Sequence, residues 1–302
     1  MNSSNEPAGT EPPSPVVTGT EASRGFLRRT WRLMTDASRR HWALDVSLYL
    51  FVMTGLVWFT LHGTEELGYH WQWKRAFRYL LDTRGGWHAG PLVEGLLVTF
   101  KVAGVSLFLA FFIGLATVML RLSHSVVGRA LGVGYLETVR NTPLLIQLFV
   151  MYFVVAPLLG MDRFVSAVLA LSLFEGAYIS EIIRAGILAV PTGQWEAARS
   201  LGLSRWGAYR KVVLPQALCH VLPPLTSQMV TLVKDSALVS TIAIYDLTMQ
   251  AQAIIAETFL VFEIWFIVAA MYLVVTFSLS MLAERLKCRF RAGNGAGSMA
   301  RP

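Results

Sequence analysis

Several apolar runs long enough to cross a bilayer constrain this chain more than any other feature. A spanning helix needs about 20 predominantly apolar residues. Six runs approach that length: 43–61, 92–120, 143–159 (with a start expected near 131), 164–190, 217–243 and 258–283. None shows the period-two alternation of a membrane barrel. The expected fold class is therefore all-α, a polytopic membrane helical bundle of about six transmembrane helices. Composition agrees: only 15% of the 302 residues are charged, where a soluble domain carries about 25%.

Charge placement orients the bundle. The net charge of +7 is spread over segments flanking apolar runs, which fits topology signals better than a nucleic-acid-binding face. With the N-terminus inside, the inner segments hold Arg24, Arg28, Arg29, Arg32, Arg39 and Arg40, then Arg121 and Arg129, then Arg199, Arg205, Arg210 and Lys211. The outer loops hold four cations in 62–91, Arg163 alone in the next, and none in 244–257. Both termini are thus expected in the cytoplasm.

The expected organisation follows. Residues 1–42 form a cytoplasmic tail, disordered to residue 23 and then basic. The stretch 24–42, with six arginines among Phe26, Leu27, Trp31, Leu33 and Met34, suits an anionic inner leaflet or serves as plain topogenic charge. A first span at 43–61 leads to an aromatic extracytoplasmic loop, 62–91. That loop either lies along the outer surface, as its Trp and Tyr content favours, or docks an external partner. The membrane domain is 92–285, and 286–302 is a basic cytoplasmic tail.

Several chemistries have no support. The cysteines, Cys219 and Cys288, fit neither a disulfide framework nor a metal cluster, and the histidines lack zinc-site spacing. The sequence contains no phosphate-binding P-loop motif. No nucleophile–base pair stands out, so a membrane-embedded enzyme is disfavoured, and no metal or cofactor is expected on this chain.

Between the fourth and fifth runs lies a polar insert, WEAARSLGLSRWGAYRKVVLP (195–215). Locally it reads as two short helices with a break. Thr192 is placed to cap the first, with Glu196 in its opening turn, and Gly202 to end it in a left-handed conformation. Ser204 is placed to cap the second, and Pro215 to stop it. Leu201, Leu203, Trp206, Tyr209 and Val213 give a broad apolar face. Such a unit is too small for its own core, so it lies against the membrane domain, another protein, or both.

Its spacing resembles the EAA loop of ABC-importer permeases: Glu196-Ala197-Ala198, three residues, Gly202, nine residues, then Val212-x-Leu214-Pro215, with Val where that family usually has Ile. VRNTPLLIQLFVMYF (139–153), GAYISEIIRAGILAVPTGQWEAA (176–198) and LVKDSALVSTIAIYDL (232–247) resemble the polar amino-acid uptake family, the histidine-, glutamine- and glutamate-type permeases. The resemblance covers about 92–285. It implies a five-helix type I importer core, here preceded by an additional N-terminal helix. It further implies that Glu196, Ala197, Ala198, Arg199, Gly202, Leu214 and Pro215 couple to a separate ATP-binding subunit, with Ala197 and Ala198 allowing close approach. The implied partners are ATP-binding subunits that hold the ATP, a second permease copy or paralogue, and an extracytoplasmic solute-binding protein. The expected location is a prokaryotic inner membrane.

Charges inside spans are costly unless they pair, snorkel or face a polar passage. The candidate substrate path is Glu137, Arg140, Asn141, Gln147, Glu181, Arg184, Lys234 and Asp235. Glu181 and Arg184 share a helix face, as a structural pair or as lining of the path. Pro223 and Pro224 are expected to kink the fifth span. Thr142-Pro143 is expected to interrupt the third and leave backbone groups open to a zwitterion. Lys101, Glu175 and Glu263 are deep as well; Lys101 and Glu263 read as structural.

The leading function is the transmembrane permease subunit of an ATP-driven importer of polar amino acids, favouring glutamate, aspartate or glutamine. The alternative, an ion-gradient-driven secondary amino-acid transporter, normally carries internal repeats, and none is clear here.

Overall fold

A computed structural model of the chain describes residues 46–59, 62, 69–82 and 88–295, with side chains to Arg285. It divides into two units, Met1–Trp71 and Gln72–Pro302. In the first, α1 (Val46–Phe59) is an apolar helix with its residues exposed. Its described part is shorter than a span requires. The expected tail 1–42 lies outside the described residues.

The second unit begins with a short helix, α2 (Trp73–Ala76), and a 3-10 turn at Phe77–Tyr79. A two-stranded antiparallel ribbon follows, β1 (Leu81–Asp82) with β2 (His88–Ala89). This ribbon is the small exception to an otherwise helical fold. The helices are α3 (Pro91–Leu122), α4 (Val126–Arg140), α5 (Leu144–Phe149) and α6 (Ala156–Leu159), then α7 (Arg163–Leu188). They continue with α8 (Thr192–Ser200), α9 (Arg205–Ala208), α10 (Leu214–Asp235), α11 (Leu247–Thr258) and α12 (Val261–Gly295).

Among the described residues, three helices are long and apolar enough to span: α3, α7 and α12 as far as Arg285. Two further spans are bent pairs. Val126–Arg140 and Leu144–Leu159 meet at 107°, and Arg205–Ile242 meets Leu247–Thr258 at 47°. The expected third span, starting near 131, is therefore broken at Asn141–Pro143, because the residue before a proline is pushed out of the helical region. The expected loop 244–257 is largely the helix α11. The final helix extends ten residues past the expected boundary at 285, so part of that tail is helical.

Small residues seat α3 against α7. In lipid, helices gain little from apolar burial and associate by close packing and interhelical hydrogen bonds. A Cβ on Gly114 would stand 2.7 Å from Ile179 Cγ2, and one on Gly176 2.8 Å from Ile113 Cγ2. Ser172 Oγ donates to the Ser106 carbonyl at 3.2 Å, and Ser106 Oγ to the Val168 carbonyl at 3.4 Å. Contacts at 106/168, 114/179 and 121/181 run in step, so the two helices are parallel. The Gly128/Gly132 pair serves a nearer purpose, since Gly132 packs on the Arg121 side chain of the adjoining helix.

Two apolar clusters frame the bundle. Val102, Leu148, Leu171, Leu232, Val239 and Ile242 form the central one. Ala76, Leu92, Leu247, Ala251, Leu260 and Ile264 form another at the end carrying the ribbon.

Proline and widened turns coincide twice. A π-turn at Val150–Val155 ends just before Pro157, and another at Tyr209–Val213 ends just before Pro215. A proline inside a regular helix clashes with the carbonyl four residues earlier, and a π-turn's longer register relieves that clash. Pro215 therefore does not stop the insert's second helix, as expected from sequence. The chain runs helically from Arg205 through Pro223 and Pro224 to Ile242, and the break comes at Ala243–Asp246 instead.

Candidate functional site

The insert is a helical hairpin. Gly202 has φ +76°, the left-handed conformation expected of it. Its N–H donates to Arg199 O at 2.9 Å, and Leu203 N–H to Ala198 O at 3.2 Å. That pair of bonds is a Schellman closure. Ser204 caps α9 as expected, its Oγ accepting from Gly207 N–H at 3.1 Å. The first cap differs: Pro191 precedes α8, Thr192 is already helical, and Glu196 falls in the second turn.

The hairpin is held to the bundle through Val213, fully buried with Val190 and Ala217 and flanked by Trp195 and Tyr209. Gln216 also donates to Gln194 across the junction at 3.3 Å. Ala198 is buried in this packing (2% exposed), so it is not available for close approach by another protein. Glu196, Ala197, Arg199, Gly202 and Pro215 are exposed and Leu214 is half-buried. The apolar face is split. Val213 faces inward, while Leu201 (82%) and Trp206 (68%) face outward, Trp206 stacking on Tyr209.

A cavity of about 640 Å³ lies between α4, α7 and α10, walled by Arg140, Tyr178, Glu181, His220, Ser227 and Gln228 among others. That size suits a small ligand. Arg140 lies over the Tyr178 ring, 5.6 Å from its centroid. Glu181 accepts from Arg184 at 2.8 Å, as its spacing suggested, and also from Arg121 at 2.7 Å. The sequence reading missed Arg121, whose partner is 60 positions away. It also missed Tyr178, His220, Ser227 and Gln228, which carry no charge signal at neutral pH beyond that of a histidine.

The other expected path residues disperse. Glu137 and Asn141 are exposed at the end of α4, where the Asn141 amide donates to the Glu137 carbonyl at 2.7 Å and to its carboxylate at 3.0 Å. Gln147 Nε2 donates to the carbonyls of Val139 and Thr142 at 2.7 and 2.8 Å. Those carbonyls, expected to be open to a zwitterion, are thus occupied by the helix's own side chain. Lys234 is exposed and Asp235 half-buried; neither lines the cavity. Asp235 instead lies near Glu175, which is fully buried and has the Gln228 side chain of the cavity wall beside it. Glu263 is also buried, and accepts from the Gln72 backbone N–H at 2.6 Å, a structural role as expected. Lys101 is exposed over the Phe164 ring.

Residues 106–292 match the family described as binding-protein-dependent transport system inner membrane component. The glutamine transport system permease protein of Escherichia coli (strain K12) is 37% identical over 209 residues, 68% of this chain and 95% of that protein. The probable glutamine ABC transporter permease protein of Bacillus subtilis (strain 168) is 40% identical over 206 residues, 67% and 94% respectively. The crystal structure of an amino acid ABC transporter with histidines contains a similar chain, with TM-score 0.63 and 38% identity over 66% of this chain and 94% of that one. The chain belongs to the family of binding-protein-dependent transport system inner membrane components, the multi-pass permease subunits of ABC importers, whose role is transport and not catalysis.

Proposed function

We propose that this permease imports a polar amino acid of the glutamine, glutamate or aspartate class and receives its driving force through the hairpin 192–215. One observation carries the coupling assignment. The hairpin leaves most of Leu201 and Trp206 exposed, and it is helically continuous with the wall of the polar cavity. Glu196, Ala197, Arg199 and Gly202 form the exposed rim of that contact, while Leu214 and Pro215 join it to the bundle. ATP is bound by separate ATP-binding subunits. A second permease copy or paralogue and an extracytoplasmic solute-binding protein complete the importer, in a bilayer whose lipid surrounds 92–285 and the additional span at 43–61. Both termini are cytoplasmic.

Substrate class rests on the cavity. A zwitterionic amino acid needs donors for its carboxylate and acceptors for its ammonium. Arg140 and the Gln228 amide supply the first, Glu181 and Ser227 the second. The glutamine-named relatives support an amide or acidic side chain.

The test reconstitutes the chain with its ATP-binding subunits and binding protein and measures glutamine and glutamate uptake with and without ATP. Uptake by this chain alone on an ion gradient would overturn the reading. Glu196→Arg is expected to weaken assembly with the ATP-binding subunit while leaving membrane insertion intact. Unchanged assembly and transport would remove the hairpin from the coupling route.

A further inference from the structure

The segment 72–82 is fastened over the ends of α3 and α12. Gln72 N–H donates to the buried Glu263 carboxylate. Ala76 is fully buried beside Leu92, Leu260 and Ile264, and Gly90 N–H donates to Leu80 O at 2.9 Å. A Cβ on Gly90 would collide with the Tyr79 backbone, so the return strand lies directly against it. The segment therefore presents its side chains in a fixed arrangement.

Two pairs of side chains stand on it, each four positions apart across the junction of α2 with the 3-10 turn. Trp73 and Phe77 form one, with ring centroids 6.1 Å apart, and Trp73 extends it to Phe266 of α12 at 6.4 Å. Lys74 and Arg78 form the other; both are exposed, and neither is in an ion pair among the described residues. Arg75 turns back toward Gln72, 3.5 Å from its side-chain oxygen. Phe266 is exposed on the most open of the three spanning helices: only 17% of α12's apolar window is buried, against 61% for α7.

We propose that this row pair is a binding surface for anionic phospholipid of the outer leaflet, Trp73 and Phe77 lying among the upper acyl chains and Lys74 and Arg78 holding the headgroup phosphate. The aromatic row is continuous with the lipid-facing flank of a span, and aromatic rings settle at that depth. The cations then stand at phosphate height, their stems lying along apolar surface. Cations in a short outer loop run against the usual charge bias, and a headgroup phosphate gives them a counter-charge. The leaflet assignment rests on the orientation proposed above.

The experiment places a benzophenone amino acid at Phe77, in the transporter assembled with its ATP-binding subunits and binding protein. The assembly is illuminated in vesicles of phosphatidylglycerol and phosphatidylcholine, and the adducts are identified by mass spectrometry. Phosphatidylglycerol adducts are expected in excess of the bulk ratio by about five-fold for each cation. K74E/R78E should return the ratio to bulk, and Lys74→Arg should preserve the excess. Adducts at the bulk ratio, no lipid adducts, or adducts to the binding protein or a second permease copy would each overturn the proposal. Orientation is read separately, by labelling Arg75→Cys with a membrane-impermeant maleimide after replacing Cys219 and Cys288 by Ser. Labelling only from the cytoplasmic side would refute the topology, whatever the adduct ratio.

Discussion

Substituting Gly202 isolates a backbone effect from a side-chain effect, because its geometry is left-handed (φ +76°) while a Cβ there meets no heavy atom within 4 Å. Crowding within the chain therefore adds nothing, and only the conformational cost remains. An L-residue pays about 1–2 kcal/mol in that region, Asn less than Ala and a β-branched residue most. Gly202→Ala should shift the hairpin's closed-to-open equilibrium by about five-fold and Gly202→Val by about thirty-fold, with Gly202→Asn between Gly and Ala. Two amides report opening directly, since Gly202 N–H and Leu203 N–H close the turn. Hydrogen–deuterium exchange on the intact permease should show these amides deprotected in the order Val, Ala, Asn, with ATP-driven uptake falling in the same order. If Asn exchanges faster than Ala, or Val leaves protection unchanged, the left-handed backbone is not what the glycine provides.

Two more outcomes follow from the bundle. Arg121→Met, Glu181→Gln and the pair should give a double-mutant coupling of about 1–2 kcal/mol in unfolding of the detergent-solubilised protein, reduced from a fully buried bridge because Glu181 is 27% exposed; additive effects would mean the contact contributes nothing. Gln147→Ala removes the side-chain donor from two carbonyls at the 107° bend, leaving Val139 O only a 3.5 Å bond from Thr142 N–H, and should cost about 1–3 kcal/mol in the same assay, whereas a loss below about 0.5 kcal/mol would mean water satisfies them.

Local chemistry was the legible part of this sequence. The turn at Gly202 and the cap at Ser204 follow from residues within four positions of each other, and the break at Thr142-Pro143 follows from proline sterics. How far the chain bends there does not, because the angle is set by packing against other helices. Pro215 misled for a related reason: its clash depends on helix register, which a π-turn changes without any distinctive residue. The helix α11 is too short and polar to look like a span, so sequence alone suggests a loop there. Its start was nonetheless written locally, since Asp246 caps it by accepting from Met249 N–H at 2.9 Å. The cavity was the least legible. Arg121 meets Glu181 across 60 positions, and Gln228 and Ser227 become neighbours of Arg140 only once α4 and α10 are packed.

The unbroken helix from Arg205 to Ile242 has a mechanical consequence. Gln228 lies 23 residues along it from Arg205, about 35 Å at 1.5 Å per residue. Pivoting such a rod at its Arg205 end by about 5° carries Gln228 sideways by about 3 Å, roughly the length of a hydrogen bond. On the coupling proposed above, a small rotation of the hairpin is geared up into a displacement of Gln228 by the length of a hydrogen bond.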